Sequence, residues 1–311
     1  MSTGYFTHPD CLAHDMGHGH PECPQRLLAI ADHLRAQGLD ALMSQHEAPL
    51  AKLSDLSLAH ESNYVATLDD FLHQLESTGD TRALDPDTLA CPGTRSAAWR
   101  AAGAAVAATD AVIDGQLDNA FCAVRPPGHH ATRRQTMGFC LFNNVAVAAR
   151  HALDVRGLKR VAVVDFDVHH GNGTQDILAD DDRVLMVSFY QHPLYPYSGE
   201  ECRAANMVNV PVPARSNGKV IREIVETYWM HRLEFFKPEM IFISAGFDAH
   251  REDDLGGLGL VEADYAWITG KIMDVAKRFA KGRIVSCLEG GYNLDALGRS
   301  VAAHLRVLID E

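Results

Sequence analysis

Residues 161–171 read VAVVDFDVHHG, an apolar run that passes directly into two carboxylates and two imidazoles. The consecutive aliphatic residues at its start predict a buried strand of a parallel sheet. Because side chains alternate along a strand, Asp165, Asp167 and His169 are expected to point to one side. Ligands of open α/β sheets bind at the carboxyl ends of the strands, where these side chains fall. Two carboxylates buried this close together predict a cation between them.

The composition is that of one large globular domain, which we expect to span residues 1–311. The net charge of -13 disfavours nucleic-acid binding, and no apolar run is long enough to span a membrane. The seven cysteines include no Cys-x-x-Cys pair, so reduced thiols are expected. The N-terminus lacks the pattern of a signal peptide, and we therefore expect a cytoplasmic protein. The sequence leaves the oligomeric state open.

Strands alternate with helices along the chain, which predicts an α/β fold with a central parallel sheet flanked by helices. The predicted strands are 119–124, 160–165, 184–189, 207–210, 240–245 and 283–288. The predicted helices are 24–37, 94–114, 217–236, 261–281 and 294–309. Polar residues follow several of these strands, so the carboxyl edge of the sheet is expected to hold the functional site.

A third metal ligand is expected from Asp248, which follows strand 240–245 and has Gly246 nearby to allow close approach of the backbone. Two aspartate oxygens and one imidazole would leave an open position on a zinc ion, as catalytic zinc sites do. The alternative is that Asp165, Asp167 and Asp248 are helix caps. Capping needs one carboxylate per helix, so the D-x-D-x-H-H run favours a metal site. Capping stays open for Asp248 considered alone.

A second group of functional residues is predicted in the loop RPPGHH, residues 125–130. Its paired prolines make the loop rigid and hold His129 and His130 in fixed positions. Neutral imidazoles there could take a proton from a water molecule and return one to a leaving amine. Tyr292, in a Gly-Gly-Tyr turn, could donate a hydrogen bond to a developing oxyanion. Considered alone, Tyr292 could equally be an ordinary half-buried aromatic residue.

Six ordered motifs resemble those of the zinc-dependent deacetylases, the family of histone deacetylases and acetylpolyamine amidohydrolases. They are HPECPQR at 20–26, RPPGHH at 125–130, GFCLFNN at 138–144, DFDVHHG at 165–171, SAGFD at 244–248 and EGGY at 289–292. The resemblance covers nearly the whole chain and is closer to class II than to class I. It implies an arginase/deacetylase-like fold. It also implies that zinc-activated water removes an acetyl or short acyl group from a lysine-like amine.

The resemblance also implies the site residues, with zinc on Asp167, His169 and Asp248. Asp165 then becomes a partner of His129 instead of a zinc ligand. The implied catalytic residues are His129, His130, Tyr292, Asp165 and Asn172. The implied substrate-binding residues are the channel residues Gly138, Phe139 and Tyr195, together with Leu255 and Arg26, which lies near the acetate end.

Potassium ions are a further implication of the resemblance. The residues implied at the first potassium ion are Asp165, Asp167, His169, Ser188 and Phe189. The residues whose backbone is implied at a possible second ion are Leu178, Asp181, Val184 and Asn206.

Four residues differ from those of similar enzymes. Class I enzymes pair the second histidine with an aspartate. This chain has Asn172 at that position, and class II enzymes also have asparagine there. Ala90 and Cys91 replace the rim aspartate that holds a peptide in class I, which argues against histone-like docking. Leu255, seven residues after Asp248, takes the place of a glutamate that selects polyamines in similar enzymes. Acetyl-lysine is therefore the expected substrate.

Two other functions stay open. One is acetylpolyamine deacetylation, with Glu252, Asp253 or Asp254 reading the cationic substrate. The other is non-catalytic binding of acyl-amines, which the presence of Tyr292 and both histidines disfavours. A protease of the His-Glu-x-x-His type is not supported, because that motif is absent.

The N-terminal segment is unusually rich in histidine. It contains His8, Cys11, His14, His18, His20 and Cys23. These residues could bind an extra metal ion, but neither cysteine has the closely spaced second cysteine of a structural zinc site. A flexible, His-rich loop at the rim of the site is predicted instead.

Overall fold

The computed structural model describes residues 2–200 and 204–310, and its centre is a parallel sheet. The strands are β1 (Thr3–Thr7), β2 (Ser44–Glu47), β3 (Arg82–Ala83), β4 (Leu89–Ala90), β5 (Asn119–Cys122), β6 (Val161–Asp165), β7 (Val184–Gln191), β8 (Met207–Val212), β9 (Met240–Ala245) and β10 (Ile284–Leu288). Eight of them form one sheet in the order β2-β1-β5-β10-β9-β6-β7-β8, with parallel pairing throughout. Strands β3 and β4 form a separate antiparallel pair.

Helices flank this sheet. They are α1 (Asp10–Ala13), α2 (Gln25–Ala36), α3 (Leu53–Leu56), α4 (Ser62–Thr78), α5 (Thr94–Ile113), α6 (Asn144–Arg150), α7 (Asn172–Leu178), α8 (Gly218–Ile224), α9 (His231–Phe236), α10 (Glu262–Phe279) and α11 (Leu294–Leu308). Helix α11 packs against α2 and α10, while α5 packs against α6, β5 and β10. Among the helices of the described residues, none is long and apolar enough to cross a membrane.

The predicted α/β fold with a central parallel sheet is confirmed. All six predicted strands lie in the sheet, with ends that differ by no more than two residues. Strands β6, β9 and β10 are buried at every position. A parallel strand that is covered on both faces is apolar throughout, which is why its sequence signal is strong.

Several elements were not predicted, namely the strands β1, β2, β3 and β4 and the helices α1, α3, α4, α6 and α7. Strand β2 has the sequence SQHE and lies at the sheet edge, where its residues are exposed or half-buried. Such a polar strand has no hydrophobic pattern to detect. The predicted helix 217–236 is found as α8, a π-helical segment Val225–Met230 and α9.

The ends of the strands are aligned, and this positions the functional site. In the register of the sheet, Asp165 at the end of β6 pairs with Ser188 on β7 and Ser244 on β9. Leu288 at the end of β10 pairs with Ala245. The segments that follow these strands therefore begin at the same edge of the sheet.

The prediction of a flexible N-terminal loop is wrong in part. Residues 10–13 form helix α1, and Cys11 and His14 are buried. His14 Nδ1 lies 2.8 Å from Thr94 Oγ1. Among the described residues, the three-residue cluster with metal-binding geometry lies elsewhere. The cysteines in the described ranges are free thiols, as predicted, while Cys202 lies outside those ranges.

Candidate active site

Three side chains with metal-ligand atoms converge at the carboxyl edge of the sheet. One ligand atom each from Asp167, His169 and Asp248 lies within 4.8 Å of the others. His169 Nδ1 is 3.0 Å from Asp167 Oδ1 and 3.1 Å from Asp248 Oδ2. Burial, together with the nearby charge of Asp167, raises the pKa of Asp248 to about 7. A divalent cation would remove this repulsion between buried carboxylates.

Glycines leave room for these carboxylates, and backbone N–H groups donate hydrogen bonds to them. A Cβ atom at Gly246 would lie 2.0 Å from Asp167 Oδ2, and one at Gly290 would lie 2.0 Å from Asp248 Oδ2. The N–H of Gly290 donates to Asp167 Oδ2 over 2.9 Å, and that of Val168 donates to Asp248 Oδ1 over 2.9 Å. Both carboxylates are thus oriented before any ion arrives. A donor set of two carboxylates and one imidazole suits zinc.

The tandem histidines have different partners. His129 Nδ1 lies 3.0 Å from Asp165 Oδ2, whereas His130 Nδ1 lies 2.7 Å from Asn172 Oδ1. Their ring centroids are 4.1 Å apart. Asp165 therefore stands beside His129, outside the three-residue cluster, as the family resemblance implied.

The two imidazoles also differ in proton affinity. Burial disfavours a charged His129, but the charges of Asp167 and Asp165 outweigh this effect and raise the pKa of His129 well above its ordinary value. Burial and the imidazoles of His129 and His169 lower the pKa of His130 well below its ordinary value. A cation bound by Asp167 would weaken that residue's effect on His129 and leave the effect of Asp165. At neutral pH, His130 is the imidazole that is free to accept a proton.

Replacing Asn172 with aspartate tests this difference. The new carboxylate would stabilise protonated His130 and raise its pKa. Because the base must be unprotonated, the acidic limb of the kcat/KM profile should move to higher pH. A pH–rate profile of wild type and variant measures the shift. An unmoved limb would contradict the assignment of His130 as the titrating base.

Glu289 is a site residue whose role the sequence did not reveal, although it begins the EGGY motif. It is fully buried, and its Oε2 accepts hydrogen bonds from the N–H groups of Gly128 at 2.7 Å and His129 at 3.1 Å. The hydroxyl of Ser244 donates to the other oxygen over 3.1 Å. Glu289 thus fixes the loop that carries both histidines.

Tyr292 is half-buried at the same edge of the sheet. Its ring centroid lies 6.0 Å from that of Phe139 and 5.0 Å from Arg26 Cζ. Burial raises the pKa of Tyr292 well above its ordinary value, so its hydroxyl keeps the proton that it would donate. The preceding Gly291 has φ +123°, a conformation that side-chain-bearing residues rarely adopt.

Arg26 belongs to a second network that sequence reasoning missed. Its Nε donates to the carbonyl oxygen of Gly291 over 2.7 Å, and its Nη1 donates to Glu22 over 3.1 Å. Glu22 also accepts from Arg125, the first residue of the RPPGHH loop. Although burial opposes ionisation, Arg125 and Arg26 lower the pKa of Glu22 to about 2. Glu22 lies in the HPE motif at residues 20–22, and this motif was the sequence signal that could have identified it as a site residue.

The predicted channel residues lie beside His130 and Tyr292. The Tyr195 ring is 5.3 Å from the His130 ring. Gly138 lies between them, since a Cβ there would be 2.5 Å from His130 Cδ2 and 3.0 Å from Tyr195 Cε1. Phe139 has φ +70°, and its N–H donates to Thr88 Oγ1 over 3.0 Å. Aromatic side chains therefore flank both His130 and Tyr292.

The predicted rim residues have clear positions. Ala90 lies in β4, and both it and Cys91 are buried, so neither offers a polar group to a peptide at the rim. Leu255 is half-buried, and its N–H donates to Asp253 over 3.0 Å.

The structure bears differently on the two predicted potassium sites. At the first, Ser188 is the register neighbour of Asp165, and its hydroxyl donates to Asn209 over 2.8 Å. Because the hydroxyl donates its proton in that bond, the lone pairs of the Ser188 hydroxyl oxygen can still face a potassium ion.

At the second site, a side-chain amide of the protein donates to two of the carbonyl oxygens that were predicted to bind potassium. Asn206 Nδ2 donates to the carbonyl oxygens of Leu178 at 3.1 Å and Asp181 at 3.0 Å. The N–H of Val184 donates to the same Asp181 oxygen. These bonds take up part of the acceptor capacity of the two carbonyls, and the second potassium site stays a prediction.

Comparisons with known proteins identify the family of the chain. The family model described as "Histone deacetylase domain" matches residues 20–308. The chain belongs to the histone deacetylase family. The histone deacetylase-like amidohydrolase of Pseudomonas aeruginosa is 38% identical, over 88% of this chain and 73% of that protein. The solved structure of the HDA15 HD domain matches with a TM-score of 0.92 and 33% identity, covering 100% of this chain and 88% of that one.

Other relatives differ in length and in the compartment that their names state. Type-2 histone deacetylase 2 of Dictyostelium discoideum is 35% identical over 98% of this chain, which spans 20% of that protein's length. Relatives from Arabidopsis and rice are named as chloroplastic histone deacetylases. Membership of this family indicates that the chain is a hydrolytic deacetylase.

Proposed function

We propose that the protein is a zinc-dependent amidohydrolase that removes acetyl or short acyl groups from lysine-like amines. The observation that carries the proposal is the convergence of the Asp167–His169–Asp248 cluster with a neutral base. The His130 ring lies 5.8 Å from the His169 ring. A zinc ion held by this cluster would polarise the amide carbonyl and make an attacking water more acidic.

The chain's own residues then handle the protons. Asn172 Oδ1 accepts from His130 Nδ1–H, which leaves the lone pair of His130 Nε2 free to take a proton from the attacking water. The hydroxyl of Tyr292 donates to the oxyanion that forms as water adds to the carbonyl carbon. His130 returns the proton to the amide nitrogen, the C–N bond breaks, and acetate and a free amine leave.

The channel residues favour an acetyl-lysine side chain as the substrate. Phe139 and Tyr195 offer aromatic surfaces against which the methylene groups of lysine can pack. Leu255 places an aliphatic side chain where a polyamine-specific enzyme would need a carboxylate. Acetylpolyamine deacetylation is the second candidate, supported by the net charge of -13, which attracts cations at long range.

Replacing Leu255 with glutamate should shift substrate preference toward polyamines. A carboxylate in a partly desolvated mouth should favour a secondary ammonium by ~1 to 3 kcal/mol, or about tenfold to a hundredfold in the ratio of kcat/KM values. The ratio for acetylspermidine against an acetyl-lysine peptide measures this effect, and Leu255→Gln is the uncharged control. A wild-type enzyme that strongly prefers acetylspermidine would contradict the proposed role of Leu255.

The proposal as a whole is tested by a substrate panel. Acetate release is measured with acetyl-lysine peptides and acetylated polyamines, alongside binding of the same compounds. We expect turnover of the acetyl-lysine peptides. Binding without acetate release from any compound would contradict catalysis and favour a non-catalytic acyl-amine-binding protein.

A potassium site and the subcellular location are two further parts of the proposal. We propose one potassium site at Asp165, Asp167, His169, Ser188 and Phe189, supported by the register that puts Ser188 beside Asp165. The expected cytoplasmic location stays a prediction, supported by the free thiols of the described cysteines.

A further inference from the structure

We propose that Asp253 is a positioning residue that holds Tyr292 in place for catalysis; this inference rests on the proposed function. Asp253 lies in the segment that follows Asp248, and its side chain is buried, with 6% exposure. Its Oδ2 accepts hydrogen bonds from the N–H groups of Tyr292 at 2.6 Å and Asn293 at 3.0 Å. Its Oδ1 accepts from Leu255 N–H at 3.0 Å.

These bonds complete the support of the turn that presents Tyr292. The N–H of Gly290 donates to a metal-cluster carboxylate, and the carbonyl of Gly291 accepts from Arg26. Asp253 holds the next two N–H groups along the chain with a single oxygen. This contact fixes the backbone on both sides of the Tyr292 Cα atom, and with it the direction in which the phenol points.

The electrostatic setting explains why a carboxylate can be buried there. Asn293 is the N-cap of α11, so Asp253 lies at the start of that helix, where the backbone dipoles favour a negative charge. Asp253 forms no ion pair with any Lys, Arg or His of residues 2–200 and 204–310. Its three N–H donors satisfy both oxygens. These bonds and the burial of Asp253 disfavour it as the group that reads a polyamine, an alternative that the sequence left open.

The same segment carries the third ligand of the cluster. Asp253 follows Asp248 by five residues, and its N–H donates to the carbonyl of His250 over 3.0 Å, which closes a tight turn. The carboxylate of Asp253 thus links the segment that follows Asp248 to the turn that carries Tyr292. Its loss should disturb the hydroxyl of Tyr292 relative to the cluster.

The expected result for Asp253→Ala is a fall in kcat of about 10-fold to 100-fold with little change in KM, as when a group that orients a catalytic residue is removed. The decisive measurement is a double-mutant cycle with Tyr292→Phe. If Asp253 acts through the Tyr292 hydroxyl, then Asp253→Ala should lower kcat no further in the Tyr292→Phe background. Asp253→Asn keeps one acceptor oxygen and should recover most of the lost activity.

Asp264→Ala is the matched control. Asp264 also has 6% exposure, and its Oδ2 accepts the N–H of Val261 at the start of α10, at 3.1 Å. This variant should lower Tm and leave kcat near wild type. If Asp253→Ala does not fold, the cycle is made with Asp253→Ser, read together with the Tm of each variant.

Two results would overturn the proposal. One is an equal fractional loss of kcat from the Asp253 substitution in both backgrounds, and the other is an unchanged kcat in the wild-type background. A Tyr292→Phe variant with wild-type kcat, or a wild-type protein without deacetylase activity, would instead contradict the proposed function.

Discussion

Replacing Asp248 with alanine is expected to lower kcat/KM for an acetyl-lysine peptide by about 10³-fold or more. The substitution removes one of three ligands from the cluster, and the charge stabilisation that a metal supplies is worth several kcal/mol. Steady-state kinetics and metal content, measured on the same sample, check the result. Wild-type protein should hold one zinc per chain at this cluster and be inhibited by hydroxamates, which chelate the ion.

A stability measurement separates loss of the metal from loss of the fold. Zinc should raise the Tm of metal-depleted wild type, because a ligand that binds the native state stabilises it, and should have little effect on Asp248→Ala. Asp264→Ala, which lies outside the cluster, should respond to zinc as wild type does. Full activity of Asp248→Ala would contradict the metal assignment.

The Tyr292→Phe variant should lose about 10²-fold or more in kcat, with little change in substrate binding. Loss of one oxyanion donor has an effect of this size when the donor acts in the transition state. The loss should be smaller for a trifluoroacetyl substrate, whose carbonyl is already activated.

Tyr265→Phe is the matched control for this substitution. Tyr265 is buried near the same cluster of aromatic residues as Phe247, and its hydroxyl has no hydrogen-bond partner among the described residues. Removing that hydroxyl should leave kcat near wild type. Nearly wild-type kcat in Tyr292→Phe would mean that another group stabilises the oxyanion.

The part of the site that the sequence predicted is the part built on buried strands. The run VAVVDFDVHHG predicts both a strand and the candidate metal ligands that follow it. A central parallel strand is apolar along its length, and the polar residues come at its end. The pairs His129–Asp165 and His130–Asn172 were implied by the family resemblance, and the structure brings both pairs within hydrogen-bond distance.

The part that the sequence did not predict depends on contacts between distant segments. Glu22 contacts Arg125 across 103 residues of sequence, and Glu289 contacts Gly128 in the histidine loop across 161. Neither carboxylate has a local pattern that reveals its partner. The polar edge strand β2 was missed for a different reason, since an exposed strand carries no apolar alternation.

The most direct test of the central claim is the rate of acetate release from an acetyl-lysine peptide at three stages of one protein sample. The rate is measured as purified, after removal of bound metal, and after one equivalent of zinc is returned. We predict release by the purified protein, loss of release on depletion, and recovery with about one zinc per chain. An undiminished rate from metal-free protein, or the absence of release at every stage, would contradict the proposed metal-dependent deacetylase.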